Sequence, residues 1–252
     1  MQLANTAAIV TGGASGLGAA TVKALADKGV SVHALDLKTG IDNAPDVDGV
    51  TYVETDVTDP DQVRNAVVTA TSGDAPLRIV VNCAGIGPSM RILGKKGVHD
   101  LEFFARVLQV NLVGTFNVLA LAAEHMAATS PDENGQRGVI VNTASIAAFE
   151  GQVGQAAYAS SKSGIVGLTL PAARDLAQYG IRVCAIAPGI VDTPMLATVS
   201  DEFRAGLAAG VPFPQRLAQP SEYAALALAI IDHDYLNGEV IRMDGALRMS
   251  PR

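Results

Sequence analysis

Cysteine is scarce in this 252-residue chain: only Cys83 and Cys184 occur, about a hundred residues apart. Two such residues form no metal pattern, and a secreted disulfide framework usually shows more. A reduced compartment is the simpler reading. Both cysteines lie in apolar runs, which assigns their side chains to packing. Histidine is also sparse, at positions 33, 99, 125 and 233, with no ligand-like spacing to one another or to cysteine. No metal site is expected. Basic charge is in deficit: 18 Lys and Arg stand against 25 Asp and Glu, for a net charge of −7. That balance disfavours nucleic acid and anionic membrane surfaces as partners. No uncharged apolar run reaches the roughly 18 residues of a membrane span. The opening stretch MQLANTAAIVTGG lacks a basic n-region, a long apolar h-region and an Arg-rich transit pattern. The expected location is therefore the cytoplasm.

What is present is a globular composition, 49% hydrophobic and 17% charged. Short β-rich apolar runs lie at 6–12, 30–36, 49–56, 78–85, 138–145, 181–189 and 238–245. Helical patterns lie between them, at about 16–28, 60–71, 100–128, 156–178 and 220–231. Apolar runs bounded by Gly and Asp are strands buried on both faces, and their alternation with helices makes βαβ units. The expected fold is α/β, a single-domain doubly wound parallel sheet with helices on both faces. No linker or repeat divides residues 1–252. One irregular stretch, about 189–211, carries Pro194 and a short helical pattern near 200–209. Its length marks it as a substrate loop or lid. Pro171 falls inside the 156–178 pattern, where it removes a helix hydrogen bond and is expected to kink the helix.

The first strand runs into TGGASGLG, with Gly12, Gly16 and Gly18 in Gly-x-x-x-Gly-x-Gly spacing. Glycines there let the backbone turn tightly and a pyrophosphate approach, while the following helix offers free N–H groups. Taken alone, a glycine-rich turn is also compatible with a purely structural role. Asp36 ends the second strand, eighteen residues past Gly18. A carboxylate there accepts from the ribose hydroxyls and repels a 2′-phosphate, which favours NAD over NADP. Lys38 reads as a solvated turn lysine. Asp56, at the end of the third run, can cap the next helix, accept from the adenine amino group, or do both.

Tyr158 and Lys162, in QAAYASSKSG, are one helical turn apart and share a face. A phenol ionises near ~10, too high for a base at neutral pH. A lysine ammonium and a nicotinamide cation beside it stabilise phenolate, so that the tyrosine can exchange a proton with an alcohol or ketone. Such a pair also occurs by chance on surface helices. Ser145 ends a strand thirteen residues earlier, where open α/β sheets bind ligands, and its hydroxyl can steady charge on a substrate oxygen. As a lone serine it could equally be a helix cap. Asn111, in QVNLVGTFNV, is either a satisfied core amide or a group that opens the helix and holds a proton-relaying water.

In combined order and spacing, TGGASGLG, Asp36, Asp56-Val57, NCAG at 82–85, Asn111, Ser145, YASSK and PGIVDTP at 188–194 resemble the short-chain dehydrogenase/reductase family over nearly the whole chain. The resemblance implies a Rossmann-like fold and a catalytic tetrad of Asn111, Ser145, Tyr158 and Lys162. It implies that Gly12, Ser15, Gly16, Leu17, Gly18, Asp36, Asp56, Val57, Cys83, Ala84 and Gly85 line a dinucleotide. Pro188, Gly189, Val191 and Thr193 would close over the nicotinamide, and Tyr158 and Lys162 would also touch the cofactor. NTASIAAFEGQVGQAAYASSK, VPFPQRL and NGEVIRMDGALRM are similar to members that oxidise L-3-hydroxyacyl-CoA with NAD, 2-methyl-branched chains included, as homotetramers. Gln155 becomes a substrate contact on the same grounds, beside Ser145 and Tyr158. Stretches 37–48 and 86–99 look shorter than in those enzymes. The other readings are a 3-oxoacyl-carrier-protein reductase, a steroid or polyol dehydrogenase, and a non-catalytic dinucleotide-binding subunit.

Overall fold

The computed structural model describes residues 3–95, 97–196 and 200–251. Its strands are β1 (Ala7–Thr11), β2 (Ser31–Asp36), β3 (Val50–Glu54), β4 (Leu77–Asn82), β5 (Leu93–Gly94), β6 (Gly97–Val98), β7 (Gly138–Thr143), β8 (Ile181–Pro188) and β9 (Val240–Met243). The helices are α1 (Gly16–Ala26), α2 (Lys38–Ile41), α3 (Pro60–Thr71), α4 (Leu101–Leu108), α5 (Thr115–Ala127), α6 (Ala156–Ala177), α7 (Asp201–Ala209) and α8 (Pro220–Asp232). A π-helical segment, Gln109–Gly114, joins α4 to α5. All seven expected runs become strands of one sheet, in the order β3-β2-β1-β4-β7-β8-β9. Every pairing in it is parallel. Strands β5 and β6 form a separate antiparallel hairpin.

Alternate residues along each strand feed two cores. Ile9, Val80 and Ile140 pack with Val63 and Val67 of α3, Val118 and Ala122 of α5, and Ala172 and Ala173 of α6. Their neighbours Ala8, Val10, Ile79, Val81, Val139 and Val141 pack with Val22 and Leu25 of α1 and Tyr223, Ala227 and Ile230 of α8. Burial on both faces explains why these strands read as unbroken apolar runs. The chain reverses direction across the sheet between β1 and β4, and the carboxyl ends of the strands there form the cleft of a doubly wound fold.

α6 includes Pro171 within its span, with Thr169, Ala172 and Ala173 buried around it. Two local expectations change. Asp56 does not cap α3: Asp59 does, accepting from the N–H groups of Asp61 and Gln62. The helical pattern over 100–128 is not uniform, because the π segment widens it at Asn111. The hairpin β5–β6 and the single turn α2 are too short to leave a period in the sequence.

Candidate active site

The glycine-rich turn folds as it does because side chains would not fit. Gly12 has φ +64°, and a Cβ on it would lie 2.9 Å from the Ala84 backbone nitrogen. A Cβ on Gly18 would collide with the Gly12 carbonyl. Gly16 also has positive φ, +52°, and starts α1. Ser15 is the N-cap of α1, in extended conformation, yet its side chain makes no capping hydrogen bond. Leu17, partly buried, packs against the α1 and α8 core. The N–H groups of the first turn of α1 therefore face the cleft without a capping side chain, which suits a pyrophosphate.

Asp36 stands at the end of β2, its Oδ2 accepting from the Ala14 N–H at 3.0 Å and its Oδ1 from the Leu37 N–H at 2.8 Å. Gly40 lies so close that a Cβ would sit 2.8 Å from Oδ1. The Lys38 ammonium is drawn to Asp42 at 2.9 Å rather than into the cleft. Asp56 tightens its own turn, accepting from the Thr58 N–H and hydroxyl through Oδ1. Val57 is buried against Gly114 of the π segment, and its carbonyl accepts from Asn117. On the far side of Gly12, the Thr11 hydroxyl accepts from the N–H groups of both Cys83 and Ala84 at 3.1 Å. Burial pushes the Cys83 thiol up, so it stays protonated among Thr143 and Tyr223. These cradles fit a dinucleotide: close backbone for phosphates, a carboxylate for a ribose.

The four residues singled out for chemistry meet at the carboxyl ends of β4 and β7. Lys162 is almost fully buried, and its Nζ donates to the Thr143 carbonyl at 2.8 Å. Nζ lies 5.8 Å from the centre of the Tyr158 ring. Burial pulls the lysine down from 10.5 to about 8. Burial raises the half-buried Tyr158 phenol, and the Ser145 hydroxyl offsets part of that rise. In the protein alone the phenol is thus raised rather than lowered. The Ser145 oxygen accepts from the Ala147 N–H at 3.1 Å, capping the short turn Ile146–Ala148, which leaves its proton to donate. Cap and chemistry use different parts of one hydroxyl.

Asn111, fully buried, clamps the loop after β4: its Oδ1 accepts from the Ile86 N–H at 2.8 Å and its Nδ2 donates to the Ile86 carbonyl at 2.9 Å and to Ser161 Oγ at 3.0 Å. A Cβ on Gly85 would lie 3.1 Å from Asn111 Oδ1 and 3.6 Å from Lys162 Nζ, so glycine keeps these groups together. Gln155 is the N-cap of α6, and its carboxamide oxygen accepts from the Gln152 N–H.

The loop after β8 crosses the cleft. Gly189 sits against Asp244, Val191 bridges to Ala218, and Thr193 and Pro194 come within about 3.5–3.7 Å of a Cβ on Gly16. Arg204 of α7 pairs with Asp192 and ties α7 to that loop. Residues 197–199 of the expected lid lie outside the described residues. Sequence reasoning missed Thr143, whose carbonyl holds Lys162, Ser161, which holds Asn111, and Met195, whose sulfur would be 3.0 Å from a Cβ on Gly87 beside Tyr158. A strand-end threonine, a helix serine and a loop methionine carry no periodic or motif signal.

The family model for short chain dehydrogenases matches residues 6–203. The 3-hydroxyacyl-CoA dehydrogenase type-2 of Drosophila melanogaster is 52% identical over 255 residues, covering 99% of this chain and 100% of that one. The Homo sapiens protein of the same name is 52% identical over 249 residues, covering 97% and 95%. The crystal structure of a 3-hydroxyacyl-CoA dehydrogenase type-2 from Mycobacterium avium matches with a TM-score of 0.91 at 44% identity, covering 98% of each chain. Likeness of that extent runs through the glycine turn, the strand ends and both flanking helix layers. The chain belongs to the short-chain dehydrogenase family, and is an oxidoreductase that acts on a small molecule with a nicotinamide dinucleotide.

Proposed function

We propose that this enzyme interconverts L-3-hydroxyacyl-CoA and 3-oxoacyl-CoA, 2-methyl-branched chains included, with NAD. The observation that carries the chemistry is the meeting of Ser145, Tyr158 and Lys162 around one strand end, with Asn111 locking the floor. Similarity over the full length to enzymes named for 3-hydroxyacyl-CoA supports the substrate class. Asp36 supports NAD, and its neighbour Lys38 is paired with Asp42 rather than turned to the carboxylate's side of the cleft.

When bound, the nicotinamide supplies a hydride acceptor for oxidation and a donor for reduction. Ser145 donates to the substrate oxygen and holds it near the phenol. Tyr158 takes the hydroxyl proton in oxidation and returns it in reduction. Lys162, held by Thr143, favours phenolate through its charge and donates to a cofactor ribose. Asn111 keeps the helix open beside Lys162, where a water would carry the proton outward. Gln155 would meet the acyl group, and Val191, Thr193 and Met195 would lie over the nicotinamide end.

The long helical unit Leu101–Ala127 has a mean hydropathy of 1.4 and by length and composition alone could cross a membrane. Its inner side is packed against the sheet through Val118, Ala122 and Met126. Its outer side leaves Val113 and Phe116 about half exposed. The reading is that other copies cover this face in a cytoplasmic homotetramer.

The test is NADH oxidation with acetoacetyl-CoA, with NADPH run in parallel. Fast NADH-specific turnover is expected. Bound NADH without turnover would discard the acyl-CoA substrate and turn the search to acyl-carrier-protein thioesters, steroids and polyols.

A further inference from the structure

Twelve residues separate Ser145 from Tyr158, and most of them form no long element: a short turn at Ile146–Ala148, then loop up to Gln155. The linker must nonetheless hold two reacting groups in register. Its internal bonds are local turns, Ser163 and the Ser89–Met90 loop hold it at Ala148 and Gly154, and the segment Arg242–Pro251 grips its middle. The Glu150 carboxylate is clasped end-on by the Arg242 guanidinium at 3.0 and 3.1 Å. The same carboxylate accepts from the Met249 N–H, and Arg248 approaches it at 3.4 Å. Gln152 Nε2 donates to the Ser250 carbonyl at 2.9 Å, and the Val153 N–H donates to the Pro251 carbonyl at 3.0 Å. Arg242 is itself fixed by Asp244 at 2.7 Å and lies over the Phe149 ring at 5.1 Å.

An apolar contact of the same tail acts on the residue next to Ser145. Ile146, Leu247 and Val211 form a small buried cluster, joined by Ile190 and Met249. Ile190 belongs to the loop that crosses the cleft, and Val211 follows α7. A strap of polar bonds thus grips the linker at its middle, while an apolar plug seats its start against the base of the lid. The two-pronged guanidinium–carboxylate pair fixes direction as well as distance. Its partly buried setting makes it less subject to the solvent screening that weakens surface pairs.

We propose that Glu150 is a positioning residue: clasped by Arg242 and the tail backbone, it fixes the linker that sets Ser145 against Tyr158. The proposal rests on reading those two residues as the reacting pair. A misplacement well under 1 Å at a reacting centre is enough to cost about tenfold in rate.

Full-length Glu150→Gln, Arg242→Gln and the double variant test it. Three quantities are read: kcat and KM with acetoacetyl-CoA and NADH, NADH affinity by fluorescence, and amide hydrogen exchange over 146–155. The expected result is a kcat about tenfold lower in Glu150→Gln, with KM and NADH affinity within about twofold. Exchange over 146–155 speeds up while that of β8 stays as it was. The double variant is no worse than the poorer single one, because both break one link. Unchanged kcat and exchange would overturn the proposal, as would losses that multiply in the double variant. So would NADH affinity falling in step with kcat, which marks general loosening. If the Glu150 and Arg242 variants do not fold, Leu247→Val trims the plug against Ile146, and the same two patterns decide. If wild type binds NADH but leaves acetoacetyl-CoA untouched, the substrate reading fails alone, and exchange over 146–155 still decides the strap.

Discussion

At the residue scale, the site trades stability for chemistry. Lys162 is buried and falls to about 8, while burial lifts Tyr158. If Tyr158 carries the proton, Tyr158→Phe should cut turnover by about a thousandfold while NADH affinity, read by fluorescence, stays within about threefold. Retained turnover would remove it from the mechanism. Asp36→Ala should weaken NADH more than NADPH, and equal losses would contradict the ribose role. Lys162 also predicts a pH effect on folding. Its native value lies below its unfolded one, so between pH 8 and 10.5 the unfolded chain binds more protons and wild-type stability gains as pH rises. Below pH 8 the full penalty of the buried charge remains. The drop from 10.5 to about 8 corresponds to about 3 kcal/mol, offset by about 1 kcal/mol for the bond to Thr143. Lys162→Met should therefore be inactive but more stable by about 2 kcal/mol at pH 7, with the gain fading toward pH 10. Urea midpoints at both pH values check this; a gain independent of pH would mean the charge is not the cause.

At the scale of elements, the π segment is where local pattern and tertiary contact part. Residues 100–128 repeat like one amphipathic helix, and the sequence alone offers a polar Asn111 in an apolar stripe as the hint of something else. The extra residue per turn is fixed from outside, by the Ile86 backbone that Asn111 clamps and by Val57 pressed on Gly114. Asn111→Leu should keep the volume but strand both Ile86 backbone groups. The expected cost is about 2–4 kcal/mol, with turnover lost, as urea melts and assays at pH 7 would read. A cost under ~0.5 kcal/mol would mean the π segment stands without the clamp.

At the scale of the molecule, Val113 of the π segment and Phe116 of α5 are large apolar side chains left about half exposed on the outer side of that helical unit. If the chain assembles as the proposed homotetramer, Phe116→Glu should shift its mass in solution toward smaller species, as light scattering on a sizing column would read. A mass unchanged from wild type would place the subunit contact elsewhere. The sequence by itself determined the strands, the order of elements and the parallel sheet, because burial on both faces writes each strand as an unbroken apolar run. It also determined the glycine turn and the types of the reacting residues, whose chemistry tolerates few substitutes. Only the tertiary structure decided that Asp59 rather than Asp56 caps α3, that Thr143 and Ser161 hold Lys162 and Asn111, and that the tail after β9 straps the linker at Glu150. Apart from the local Asp59 cap, those contacts join residues distant in the chain, through a backbone carbonyl for Lys162, a serine hydroxyl for Asn111 and an ion pair for Glu150. A carbonyl is common to every residue, so no pattern of side chains can announce which one a lysine will find.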